Sequence, residues 1–138
     1  MIRMKRIYEP VLDEDGYRVL VERLWPRGVS KELAGLDAWE KDIAPSNALR
    51  RWYGHDPEKW EEFQERYERE LEAPEAQEIL DNLVRCGLRG MVTLLYASRA
   101  SEMSSATVLR RVLLRRISHP PVSQRTEQAS RREEVAGR

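Results

Sequence analysis

Apolar positions recur along the chain at two different spacings, which separate strands from helices. Residues 3–8 (Arg-Met-Lys-Arg-Ile-Tyr) are short and mixed and predict a first strand. Asp13 to Gly16 reads as a turn, and the β-branched, apolar run Tyr17 to Glu22 as a second strand. That strand stops at Trp25-Pro26-Arg27-Gly28, where proline removes a backbone donor and glycine follows. Ser30 suits the N-cap of a short helical turn through Leu33, and Leu36, Trp39 and Ile43 then recur at helical spacing. Pro45-Ser46 ends that segment and caps the next, with Leu49, Trp52 and Tyr53 as its apolar side. Asp56-Pro57 starts a helix, a capping carboxylate followed by proline at the first helical position. Trp60, Phe63, Tyr67 and Leu71 form one face of it. Pro74 opens a further helix with Ala76, Ile79, Leu80, Leu83 and Val84 on one side and Gly87 as its stop. Met91 to Ala97 is almost continuously apolar, as in a parallel strand buried on both faces. Ser104 or Ser105 caps a last helix with Ala106, Val108, Leu109, Val112 and Leu113 as its buried stripe.

This order of elements predicts an α/β domain of three layers. It would hold a small, mostly parallel three- or four-stranded sheet flanked by helices, and be helix-rich. Residues 1–117 form this single domain, and residues 118–138, with almost nothing to bury, read as a disordered basic tail.

Composition changes this picture little. The 138 residues carry 24 basic and 24 acidic side chains, and 41% are hydrophobic, the balance of a water-soluble globular chain. No apolar run is long enough to span a bilayer, and no apolar stretch follows the N-terminal charges as in a secretory signal, so a cytoplasmic location is the default. The single cysteine, Cys86, excludes an internal disulfide framework and a cysteine-cluster zinc site; beside Gly87 it reads as a buried or half-buried thiol. The charge is polarised. Residues 56–81 hold eleven acids and three bases, and residues 110–138 eight arginines and three glutamates. These stretches read as solvated faces or as docking surfaces for a protein partner. The arginine-rich end would also suit nonspecific phosphate contact, but the tail lacks aromatics to stack on bases, so nucleic acid is the weaker reading.

Neither a dinucleotide-binding glycine turn nor a phosphate-binding P-loop is present, nor a zinc-protease or nucleophile-elbow motif, so no cofactor and no metal are expected. What remains is a cluster where the second strand ends: Glu22, Arg23, Trp25, Arg27 and Gly28. Open α/β sheets bind ligands beyond the carboxyl ends of their strands, and guanidinium groups suit phosphate or carboxylate. Tyr96, Ala97, Ser98 and Arg99 would end the neighbouring strand. The expected ligand-binding set is therefore Arg23, Trp25, Arg27, Gly28, Tyr96, Ser98 and Arg99, for a small anionic or nucleotide-like ligand. Equally, Arg23 and Arg27 could pair with Glu22, Asp42 or other acids and only close the sheet. His55 is the candidate general acid or base, since imidazole exchanges protons nearest neutrality. The oligomeric state is not legible.

Four stretches carry a family resemblance: Gly16 to Glu32 (GYRVLVERLWPRGVSKE), Trp39 to Ser46, Leu49 to Pro57 with the aromatic face behind it, and Val92 to Ala97. Together they resemble the YeaO-like branch of the family called domain of unknown function 488. The resemblance implies a small helix-rich α/β domain and no settled activity. Its polar positions here are Arg18, Arg23, Arg27, Lys31, Asp42, Ser46, His55, Tyr67 and Tyr96. After the last strand the family pattern continues with an acidic pair and then His-Asn. This chain instead has Ser98-Arg-Ala-Ser-Glu-Met-Ser-Ser105, in which only Glu102 could substitute for an acid. If that loop holds the family's chemistry, this copy is a weak or lapsed enzyme.

Overall fold

The computed structural model describes residues 1–119. Strands β1 (Ile2–Arg6), β2 (Tyr17–Leu20), β3 (Ala38–Trp39) and β4 (Val92–Tyr96) form one sheet in the order β1-β4-β2-β3. Every pairing is parallel. Helices α1 (Asn47–Tyr53), α2 (Trp60–Glu70), α3 (Pro74–Arg89) and α4 (Ser105–Ser118) complete the fold. The central strand β4 is buried at every residue, as its unbroken apolar run requires.

Alternation along the strands sorts the sheet into two unlike faces. Ile2, Val19, Val92, Leu94 and Tyr96 pack with α1–α4 into the main core. The other face, with Leu20 and Leu95, is covered by the loops after β1 and β2, which form a smaller core around Ala34, Trp25, Val29 and Leu36. The third layer of this domain is thus made of loops, although Leu36, Trp39 and Ile43 were expected on a helix. The expected short turn after Ser30 is present, its Ala34 N–H donating to the Ser30 carbonyl at 3.0 Å, but Leu36, Trp39 and Ile43 do not lie on a helix. Trp39 belongs to β3, where it pairs in register with Leu20, and residues Lys41–Ile43 make a single 3-10 turn. Spacing alone could not show this, because three apolar residues over eight positions fit a short edge strand followed by a turn as well as a helix.

The helix signals are otherwise read out locally. Ser46 caps α1 by accepting from the Leu49 N–H at 3.1 Å. Asp56 caps a 3-10 turn, Pro57–Lys59, that leads into α2. Pro74 occupies the first turn of α3. Gly87 does not stop α3, which runs on to Arg89; a Cβ at Gly87 would meet Ile2 Cδ1 at 2.7 Å, so the glycine lets α3 approach β1. Helix α4 extends through Ser118, the first residue of the expected 118–138 tail, and residues 120–138 lie outside the described residues.

The polarised charges meet one another. Arg115 pairs with Glu68, Arg116 with Asp81 at 2.9 Å, and Arg111 donates to Gln64 at 2.7 Å, so basic α4 faces the acidic stretch. Among the described residues no helix is long and apolar enough to cross a membrane.

Candidate functional site

The four strands point the same way, so all their carboxyl ends share one rim. There the chain leaves β2 toward the loop layer and leaves β4 toward α4 in the helix layer. Because β2 and β4 are neighbours, their exits diverge, and a crevice opens between them; this is the place where parallel α/β sheets hold ligands. A cavity of about 280 Å³ lies there. Glu22 and Arg23 after β2, Ala97 and Ser98 after β4, and Ala44 and Pro45 line it. Arg50, Tyr53 and His55 line it from α1 and the residues just beyond, with Phe63 from α2 and Ser104 and Ser105 from the start of α4.

Arg23 is held in place by the backbone. Its Nε donates to the Pro45 carbonyl at 3.1 Å and its Nη2 to the Ala44 carbonyl at 3.0 Å. The same segment is pinned from α2. The buried Tyr67 hydroxyl donates to the Ile43 carbonyl, and Glu70 accepts from the Ser46 N–H at 2.8 Å and its hydroxyl at 2.6 Å. Burial, with the charges of Glu22 and Glu70 beside it, raises the Tyr67 phenol far above its usual value, so it stays a neutral donor. Arg23, Ser46 and Tyr67 therefore fix the Ile43–Ser46 strap that forms one wall of the cavity.

Glu22 is fixed at both ends. Its carbonyl accepts from Trp39 Nε1 at 2.6 Å, and its Oε1 accepts from the Ala97 N–H at 2.9 Å, tying the exit of β2 to that of β4. Burial raises the affinity of this carboxyl for a proton; the Ala97 hydrogen bond and the charges of Arg50 and His55 oppose the rise without cancelling it. Arg50 has no carboxylate within 4.0 Å among the described residues; its one side-chain bond is a long 3.4 Å contact to Asn47 Oδ1. Gly54 and His55 are both left-handed, at φ 52° and 57°, which turns the chain sharply out of α1. Histidine tolerates that conformation better than bulkier or β-branched residues do. The His55 ring lies 5.8 Å from that of Tyr53, whose hydroxyl donates to the Met103 carbonyl at 2.8 Å. Ser104 occupies the N-cap position of α4 but makes no side-chain cap; its hydroxyl donates to the Ser101 carbonyl instead.

Of the residues expected to bind a ligand, the cavity brings together Arg23 and Ser98, and the candidate acid–base residue His55 joins them. Tyr96 is buried in the main core. Trp25 packs edge-on against Trp39 in the loop layer, ring centres 5.2 Å apart, with Lys31 over its face. Arg27, Gly28 and Arg99 are exposed and do not line the cavity. Sequence reasoning missed Arg50, Tyr53, Phe63, Ser104 and Ser105 as wall residues. The two aromatics were read as a helix face, and the approach of α1 and α4 to the rim is a tertiary fact. Among the described residues no group of histidine, cysteine and carboxylate side chains could hold a metal ion.

The site and topology define a small parallel α/β domain with a cleft at its switch point. A family model described as the inactive DUF488-N3 subclade matches residues 1–132, and the chain belongs to that family. It is 42% identical to an uncharacterised protein of Mycobacterium tuberculosis over 112 residues, 81% of this chain and 92% of that protein. It is 38% identical to the uncharacterised protein YeaO of Escherichia coli over 108 residues, 78% and 92% of the two chains. No solved structure matches it.

Proposed function

We propose that this protein binds a small anionic ligand in the strand-end cavity, and that it does so as a lapsed enzyme. The observation that carries the reading is one cavity lined by two guanidinium groups, an imidazole and the uncapped first turn of α4, against a single carboxylate. A helix N-terminus and arginine both favour an anion. Arg50 is the principal anchor, because Arg23 is spent on two carbonyls. Loss of catalysis is supported by the family description, inactive, and by the position of the 98–105 loop. Ser98, Ser104 and Ser105 from that loop line the cavity. In the pattern that the chain resembles, an acidic pair and His-Asn stand there instead.

The test is thermal unfolding of the full chain against phosphate, nucleotides and small carboxylates. A ligand at a hundred times its dissociation constant adds about 2.7 kcal/mol, a shift of several degrees. The shift is expected in the wild type, lost in Arg50→Ala and kept in Arg27→Ala, whose side chain lies off the cavity. No shift with any anion, or a shift that Arg50→Ala leaves intact, overturns the reading.

A further inference from the structure

Glu22 is a poor neighbour for an anion, yet the structure holds it rigidly on the cavity wall. Oε1 accepts from the Ala97 N–H, whereas Oε2 has no protein donor among the described residues. Nor is Oε2 a sealed, unpartnered atom; it opens on accessible space. A carboxylate facing Arg50 and His55 would ordinarily close onto one of them. No such ion pair forms within 4.0 Å. Their charges still act on Glu22, so the three groups border one small space without touching. That space has a positive side at Arg50 and an acceptor oxygen at Glu22; a ligand that fills it excludes water from Oε2, which is costly unless the ligand itself supplies a donor.

Resting on the anion reading above, we propose that the ligand is dipolar: an anionic group held by Arg50 and, within the same small molecule, an ammonium or other N–H donor held by Oε2 of Glu22. Aminated phosphates and amino acids are the simplest members of this class. A bare anion would leave Glu22 unmatched and feel its repulsion, whereas a dipolar molecule completes both partners.

Matched pairs of probes test this by calorimetric titration: ethyl phosphate against 2-aminoethyl phosphate, and propionate against 3-aminopropionate. The aminated member is expected to bind the wild type on the order of tenfold more tightly, the value of one charge-assisted hydrogen bond. Glu22→Gln keeps an oxygen for the Ala97 N–H and so keeps the fold, which its unfolding midpoint checks. In that variant the preference should vanish, while the parent anions bind at least as well as before. Arg50→Ala should weaken all four probes. If the parent anions bind through Arg50 but the amine adds nothing, or if its advantage survives Glu22→Gln, the dipolar ligand is refuted and the anion site stands. If no probe binds, the anion reading fails as well.

Discussion

Asn in place of Asp15 should be among the most damaging single changes in this protein. Asp15 is fully buried beneath the loop layer, on the sheet face that no helix covers. Its carboxylate accepts from Arg3 at 2.7 Å, Lys5 at 2.9 Å, Arg18 at 2.5 Å and the Leu12 N–H at 3.0 Å. Three cations thus share one anion. The side chains of Arg18 and Lys5 are only 4% and 11% exposed, so removing the charge strands them away from water. Breaking a buried pair costs about 3–5 kcal/mol, a large part of the roughly 5–15 kcal/mol that holds such a domain. At roughly 3–5 °C per kcal/mol for a domain of this size, the midpoint falls by roughly 9–25 °C. Arg3, at 36% exposed, is the control: Arg3→Gln should cost under about 1 kcal/mol. Acid supplies a second readout. Burial pushes the Asp15 carboxyl upward, but the hydrogen bonds from Lys5, Leu12, Arg18 and Arg3 outweigh it and hold the group well below the usual carboxylate range. A depressed folded value contributes stability above the unfolded value of 3.8 and loses it as the pH falls further toward the folded one. The gap between wild type and Asp15→Asn, measured by urea denaturation, should therefore be constant near neutrality and narrow only below about pH 4. A cost below about 1 kcal/mol, or a gap that ignores acid, would refute the account of this cluster.

Two further changes probe the frame of the site. Gly16 sits at φ +63° with the Met91 carbonyl oxygen 2.4 Å from where a Cβ would stand, whereas Gly28, at φ +74°, has open space around it. Gly16→Ala should cost about 2–4 kcal/mol and Gly28→Ala only about 1–2, the bare left-handed penalty, in the same denaturation assay; equal costs would show that the close approach to Met91 is unimportant. Tyr67→Phe removes the donor to the Ile43 carbonyl and should cost about 1–3 kcal/mol, with any ligand shift reduced as the cavity wall loosens. A variant as stable as the wild type would mean that Arg23 and Glu70 hold the strap alone.

The sequence made the helices and the long strand legible because their signals are local. Examples are Ser46 before α1, Pro74 opening α3, and the unbroken apolar run of β4. The residues between 36 and 43 misled because their order comes from tertiary contacts. Trp39 looks like a helix-face residue until Leu20 pairs with it and the Glu22 carbonyl accepts from its indole N–H. The strand-end rule located the rim correctly from the ends of β2 and β4. It could not rank the arginines there, since Arg23 and Arg27 are four residues apart in one loop. One reaches the cavity, and the other is exposed beside the backbone carbonyl that accepts from Tyr8. Arg50 escaped notice because nothing in its helix marks it; the packing of α1 on α2 brings it to the rim.

The same geometry explains how a fold can keep its family motifs and its cavity while losing chemistry. Arg18, Arg23, Ser46 and Tyr67 use their side chains to hold backbone carbonyls or acids, so replacing any of them loosens the sheet or the Ile43–Ser46 strap. The 97–105 loop is anchored differently. Arg6 donates to the carbonyls of Ala97 and Ser98, and Tyr53 to that of Met103. These bonds grip the loop by its main chain and are indifferent to most of its side chains. Its side-chain bonds are local: Ser98 accepts from the Ala100 N–H, and Ser104 and Thr107 donate to the Ser101 carbonyl. Side chains in this loop can therefore be rewritten with little loss of stability, although Ser98, Ser104 and Ser105 line the cavity. The motifs on which the resemblance rests report the scaffold, and chemistry carried by this loop could disappear without unfolding it.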